Sequence, residues 1–498
     1  MNLTLLVLVP VITLAGILLV KNKGGARTVA LIGSVVQLGF SLLLLFMYGT
    51  ERKSGNSTDF LFETKQVWFE QWNIHYHTGV DGISVAMILL TSFVVLAGVL
   101  VSWNVEKLSR EFFFLLVFLG TGAYGFFISL DLFTMFFFFE LAVIPKYLLI
   151  AIWGSGRKEY SAMKLALMLM GGSSLVLAGI FGLYYYTGVY GNGSTFNLIE
   201  IAEAGIPLEI QSFLFPLMFI GFAVLSAMFP FHTWAPDGHS SAPTAASMFL
   251  AGISMKLGGY GCLRLAANLF PEAAAEYSFY IILLSITGIV YGAVVTLFQK
   301  DIKLMNAYSS VSHCGFVLLG IGMMTKTAAT GAVLQMISHG VMTALFFAVI
   351  GMVYERTHTR IGSQMGGLLK VMPFIGTLFF IAGLTSLGLP GFSGFVAEMT
   401  VFVGSFQVPG LFYKAATVLA CASIVVTAVY ILRAAGVTLM GPLKEEHATL
   451  TDAAWNEKAA GAVLVFCIVV MGSAPWWLSD LIQASIPGSF EPLIILPH

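Results

Sequence analysis

The sequence predicts an all-α integral membrane protein of about fourteen transmembrane helices, and two observations carry that expectation. Hydrophobic residues make up 58% of the 498 positions and charged residues only 10%, against about a quarter charged in a soluble domain; mean hydropathy is +0.90. Apolar runs of about 20 residues, enough to cross roughly 30 Å of hydrocarbon, also follow one another so closely that no soluble domain fits between them. A water-soluble globular enzyme is therefore excluded, and 1–498 reads as a single polytopic membrane domain. A formal net charge of −1, with no extended Lys/Arg cluster, leaves no surface for tracking nucleic acid.

The expected spans lie near 3–20, 28–48, 80–102, 111–129, 131–153, 161–187, 209–231, 244–266, 278–298, 304–324, 328–354, 372–404, 411–437 and 458–479. The first run, Leu3 to Val20, is followed by Lys21-Asn22-Lys23 rather than by a small-residue cleavage site, and is expected to stay as a first helix. Basic residues gather in the loops after odd-numbered spans, for example Lys107, Arg110, Arg157, Lys158, Lys300, Lys303, Arg356 and Arg360. Because such loops face the cytoplasm, both termini should lie on the other side. Trp103, Trp153, Trp455, Trp476 and Trp477 fall at span ends, where amphipathic rings prefer the headgroup level. The longest extramembrane piece, 49–79, is expected to be an ordered external loop; His75 and His77 within it suit surface histidines better than metal ligands. Cys262, Cys314, Cys421 and Cys467 stand singly and read as small core residues, with no zinc spacing.

Ionisable residues inside these spans are the functional signal, since a charge at mid-membrane costs about 3 kcal/mol or more and normally faces a hydrated interior. Glu140 lies halfway along the fifth span, after four phenylalanines, with Pro145 and Lys146 beyond it. Lys146, six residues on, lies about 240° round an unbroken helix from Glu140, so it either pairs with another helix or snorkels to the surface. Lys256 interrupts the small-residue run Ala251 to Gly258 and is expected to point inward. Lys164, in the first turns of the sixth span, is a weaker candidate that could snorkel to the cytoplasm. His313 and His339 sit on adjacent spans; they suit a proton relay, and could also simply hydrogen-bond helix to helix.

Glu398 follows Leu387-Gly388-Leu389-Pro390-Gly391 in the twelfth span, where Pro390 and the glycines should break the helix. A second break is expected at the end of the seventh span, in Phe229-Pro230-Phe231-His232-Thr233-Trp234-Ala235-Pro236-Asp237-Gly238-His239. Broken helices five spans apart suggest two inverted five-helix repeats, spans four to eight (about 111–266) and nine to thirteen (about 278–437), with 3–102 and 458–479 flanking them. No Gly-rich nucleotide loop, cysteine cluster or paired haem histidines are present, so any redox chemistry belongs to another chain.

Taken together, Gly79-Val80-Asp81-Gly82-Ile83-Ser84, Phe139-Glu140-Leu141, Pro230-Phe231-His232-Thr233-Trp234, Asp301-Ile302-Lys303, Ala307 to His313, Ser338-His339-Gly340, Arg356-Thr357-His358-Thr359-Arg360 and Leu387 to Gly391 resemble the antiporter-like membrane subunits of respiratory complex I, from the third span onward. The resemblance implies proton transfer through Glu140, Lys256, His313, His339 and Glu398, with Lys146, Lys164 and His232 as secondary or modulating candidates. It also implies partners, namely the other membrane subunits including antiporter-like subunits L and N. FMN, iron-sulfur clusters and quinone are expected in those partner subunits, with no cofactor or metal bound by this chain. One position departs from the family pattern: Leu225 stands where relatives carry a lysine, and Ala227 where a proline is common. Lys146 is then expected to take over part of the missing charge's role. The competing readings are a subunit of a multisubunit Na⁺/H⁺ antiporter, with similar residues and no NADH, and a structural membrane scaffold.

Overall fold

The computed structural model describes residues 1–191, 193–486 and 488–490, apart from the side chain of Lys23. The chain is predominantly helical. Its helices in order are α1 (Leu5–Leu19), α2 (Lys23–Lys53), α3 (Gly82–Val101), α4 (Ser109–Ile128), α5 (Leu132–Leu141), α6 (Val143–Trp153), α7 (Lys158–Tyr190), α8 (Leu198–Glu203), α9 (Leu208–Leu225), α10 (Trp234–Ser241), α11 (Thr244–Phe249) and α12 (Met255–Gly261). There follow α13 (Pro271–Glu276), α14 (Ser278–Leu297), α15 (Ile302–Gly322), α16 (Lys326–Thr357), α17 (Pro373–Ser386), α18 (Ser393–Phe406), α19 (Leu411–Thr438), α20 (Trp455–Ser473) and α21 (Trp476–Gln483). Among the described residues eleven helices are long and apolar enough to cross a bilayer, α5 and α6 counting as one; α1, α17 and α18 are shorter apolar helices.

The helix α16 is apolar all round and buried along its whole most apolar stretch, as a helix at the centre of a bundle must be. It packs on α3, α11, α15, α17, α18 and α20. Helices at the rim show the opposite pattern: α2, α7 and α19 each bury one stripe and turn Phe46, Leu167 or Val425 outward. Cys262, Cys314 and Cys467 are buried as expected, but Cys421 lies on the exposed face of α19 because that helix packs along one side only.

The segment read as an external loop is ordered, and its second half is an antiparallel hairpin of β1 (Leu61–Phe69) and β2 (Ile74–Val80), with α2 running on to Lys53 before it. The hairpin is tied down at Thr78, which bridges Ser129 at the end of α4. Asp131 holds it too: the carboxylate accepts from the α5 amides of Phe133 and Thr134, and from His75 N at 3.1 Å. His77 is therefore buried rather than a surface residue, with Nε2 3.3 Å from Glu63 Oε2. Burial pushes its imidazole below the ordinary 6.5, against the pull of Glu63. A group held neutral in the folded hairpin but free to protonate when it opens withdraws stability as pH falls below about 6.5. Amide exchange over 61–80, corrected for intrinsic rates, should accelerate between about pH 7 and pH 5, and His77→Gln should flatten that response.

Asp301 does for α15 what Asp131 does for α5. Its carboxylate accepts from Lys303 N and Leu304 N, Ile302 N donates to Arg360 O, and Asp301 bridges Ile361; correspondingly Leu132 N donates to Phe196 O and Asp131 bridges Asn197. Since α14 runs about 30 Å from the hairpin end, the Asp301 cap lies on the face opposite the Asp131 cap. On that second face Arg356 grips Glu457 through two bonds of 2.9 and 2.6 Å and donates to the carbonyls of Thr451 and Asp452. Glu457 is 3% exposed, so Arg356→Leu strands a buried carboxylate. Thermal unfolding in detergent should show a loss on the order of 3 kcal/mol.

Candidate functional site

Three helix interruptions shape the interior. Between α17 and α18 the chain loosens over Leu387 to Phe392, with Gly388 at φ +70° and Gly391 at φ +95°, as the Leu-Pro-Gly sequence predicts. Gly388 is favoured by its left-handed φ, and it lies close to the end of the Glu398 side chain, whose Oε2 would be 2.4 Å from a Cβ there. Between α9 and α10 the break begins at Ser226, slightly earlier than expected, with Ala227 at φ +55°. The third lies in the expected eighth span, where two π-helical stretches, Leu250–Ser254 and Cys262–Ala267, flank α12. Nothing in the residue pattern announced these widened turns, which commonly accompany functional positions.

A close backbone crossing brings the site together. A Cβ on Gly340 of α16 would meet Gly252 O at 2.8 Å, and one on Gly252 would meet Gly340 O at 3.1 Å. Only glycine on both sides lets α16 lie this near the segment before Lys256. As a result Lys256 Nζ sits 2.6 Å from His339 Nδ1, and also donates to Ala251 O at 2.5 Å. The His339 ring stacks on His313 with centroids 5.0 Å apart. His313 Nδ1 lies 3.6 Å from Glu398 Oε1, and its Nε2 is 3.0 Å from Ser386 Oγ. Lys256, His339, His313 and Glu398 are each no more than 3% exposed. They form one row from α12 across α16 and α15 to α18, joined at the His339–His313 step by ring stacking rather than a hydrogen bond, with Gln335 Nε2 3.2 Å from His313 Nδ1. Among the described residues His339 Nε2 has no hydrogen-bond partner.

Glu140 and Lys146 form a separate group. The helical bonding lapses at Ala142, between α5 and α6, where Pro145 has no N–H to give Leu141 O, but Ala142 keeps right-handed helical dihedrals and 132–153 runs on as one span. Lys146 is 1% exposed and turns to neither lipid nor water, and its charge lies within Coulombic reach of Glu140. Glu140 Oε1 is buried without a partner. Leu225, at the end of α9, is buried and apolar. Lys164 does not snorkel freely: its ammonium is 2.7 Å from Asp237 Oδ2 on α10. His232 is buried between the rings of Phe229 and Tyr291.

Several buried ionisable groups were not singled out from sequence, His239 and Lys303 among them. His239, on α10, has no partner for either ring nitrogen among the described residues, and Lys303, at the start of α15, donates to Ala242 O at 2.5 Å. Lys303 hid among loop cations because its burial comes from α10 and α15 packing together. His239 stood in a quoted motif, and its position in the broken segment was the signal available. Among the described residues no three His, Cys, Asp or Glu side chains converge to hold a metal ion.

A bundle of apolar helices broken around a row of buried ionisable side chains is the construction of membrane proteins that carry ions. The family pattern described as NADH:quinone oxidoreductase/Mrp antiporter, TM, matches residues 129–427. The chain belongs to that family. It is 37% identical to NAD(P)H-quinone oxidoreductase chain 4-2 of Synechocystis sp. over 86% of its length and 76% of the relative's. It is 36% identical to NADH-quinone oxidoreductase subunit M of Rickettsia bellii, over 92% and 90%. Among solved structures it is similar to a chain of respiratory complex I from Thermus thermophilus with bound NADH, with a TM-score of 0.87, 25% identity, and 97% and 99% of the two chains covered.

Proposed function

We propose that this chain is a subunit M-type, proton-translocating membrane subunit of an NADH:quinone oxidoreductase, moving H⁺ along its buried Glu/Lys/His row while quinone is reduced in other subunits. The observation that carries this reading is the row from Lys256 through His339 and His313 to Glu398. The Lys256 ammonium donates to His339 Nδ1, His339 releases a proton from Nε2 in the plane of its ring to water that carries it to His313, and Glu398, 3.6 Å from His313 Nδ1, receives it beside the broken helix, where water can reach freed backbone groups. Glu140 and Lys146 form the input pair; Lys164 and His232 modulate the approach to it. The chain itself contributes no redox centre, and FMN, iron-sulfur clusters and quinone belong to its partners. Those partners include antiporter-like subunits L and N.

The same reading has about fourteen crossings in a bacterial inner membrane, with both termini on the non-cytoplasmic side. Two inverted repeats, about 111–266 and about 278–437, are supported by the paired Asp131 and Asp301 caps on opposite faces and by the breaks after α9 and α17. The test is NADH-driven proton uptake by inside-out membrane vesicles, with and without this chain. Loss of uptake without it, restored on complementation and indifferent to Na⁺, is the expected result; unchanged uptake would sink the reading. The family description also covers Mrp antiporters. Activity that needs Na⁺ and ignores NADH would favour that second reading.

A further inference from the structure

At the hairpin face the bundle opens into a polar cavity of about 350 Å³, lined by Arg52, Asp59, Asp81, Glu203, Arg264 and Asn268 among others. An ion pair stands at its inner wall: Arg264 Nη1 is 2.9 Å from Asp81 Oδ2, with the two residues 6% and 1% exposed. Asp81 also caps α3 by accepting from Ser84 N, and the Arg264 guanidinium lies over Phe60 with its buried Nε unpartnered. Behind the pair the Tyr260 hydroxyl is 2.9 Å from Ser84 Oγ, its ring held by Phe126 and Phe127.

Lys256, Tyr260 and Arg264 recur every four residues, a polar stripe along one side of the segment, rising about 6 Å per step. That stripe runs from the central row toward the cavity, with Tyr260 one turn from Lys256 and bonded to Ser84 beside the ion pair. A buried ion pair is a poor way to stabilise a helix contact, since apolar residues of similar volume serve as well or better. A fixed guanidinium across a polar path does have an evident electrical effect: it repels protons and other cations.

We propose that Asp81 and Arg264 form a plug that closes a side branch from Lys256 to the hairpin-side water, and that breaking the pair opens a proton leak through Tyr260 and Ser84. Each hydroxyl releases its own proton as it accepts one, so one proton leaves the Lys256 ammonium for each one reaching the cavity, and reversal reloads Lys256. The inference rests on Lys256 carrying a proton in the main row.

The test uses membrane vesicles holding the whole complex, with no NADH present and a pH gradient imposed. Arg264→Gln should raise passive proton flow several-fold over wild type at matched protein content, and adding Tyr260→Phe should return it to the wild-type level. Arg264→Met, which also removes the guanidinium, serves if Arg264→Gln does not accumulate in the membrane. Vesicles that stay tight without the pair, or a leak that persists with Tyr260→Phe, would overturn the proposal. Because the leak is read without NADH and the main row with it, failure of the plug and failure of the pumping assignment give separate results.

Discussion

Glu398→Gln is expected to abolish NADH-driven proton uptake. The substitution keeps the side chain's size and hydrogen-bonding oxygen, so packing against Gly388 survives, but an amide cannot take up and release a proton in this range. Glu398 is the only carboxylate in the row that begins at Lys256, and its contact with His313 is the last step before the α17–α18 break. A positioned group of this kind contributes on the order of a hundredfold or more to proton transfer, so uptake in inside-out vesicles should fall to background. NADH oxidation by a water-soluble electron acceptor, which reports on partner subunits, should persist. Near-normal uptake would remove Glu398 from the path.

Lys146→Leu is expected to have the second largest effect, because it leaves Glu140 in an apolar setting without the cation in its reach. One opposite charge at about 4–6 Å changes a carboxylate's proton affinity by roughly tenfold or more. Proton uptake should fall by roughly that factor if loading of Glu140 limits the rate. The revealing experiment is the exchange: Leu225→Lys in the Lys146→Leu chain puts the cation at the position where the family resemblance leads one to expect it, and should restore a substantial part of the activity. If Lys146→Leu pumps normally, the idea that the charge moved from α9 to α6 fails. If the exchange restores nothing although the protein accumulates, the two positions are not equivalent.

Much of the site was legible because a membrane filters side chains so strictly. A Glu, Lys or His inside an apolar run stands out in a way it never would on a soluble surface, and Glu140, Lys256, His313, His339 and Glu398 were found on that ground alone. The break at Gly388 to Gly391 was legible for a local reason: proline and glycine disturb the backbone wherever they occur. The interruption at Ala142 had the same kind of signal in Pro145, which has no N–H to give Leu141 O, whereas the π-helical turns around α12 carried none. They arise from packing between helices, which composition does not encode.

Burial inside the fold was the harder quantity. His77 read as a surface residue, and Lys303 as a loop cation, yet both are enclosed. Lys164 looked free to snorkel and instead holds Asp237. In each case the deciding neighbour lies far along the chain, brought close only when helices assemble.

By itself, then, the sequence determined that this is a multi-helix membrane protein with a small set of buried charges, because transfer of each residue from water to hydrocarbon is a local property. The tertiary structure alone decided which of those charges meet. Lys256 reaches His339 because Gly252 and Gly340 let two backbones touch, Lys146 is enclosed because α4 and α7 pack against α6, and Arg264 closes on Asp81 because α3 and the end of the π-helical segment share one mouth. Contacts between distant segments depend on ångström-scale packing, and no spacing along a chain specifies that.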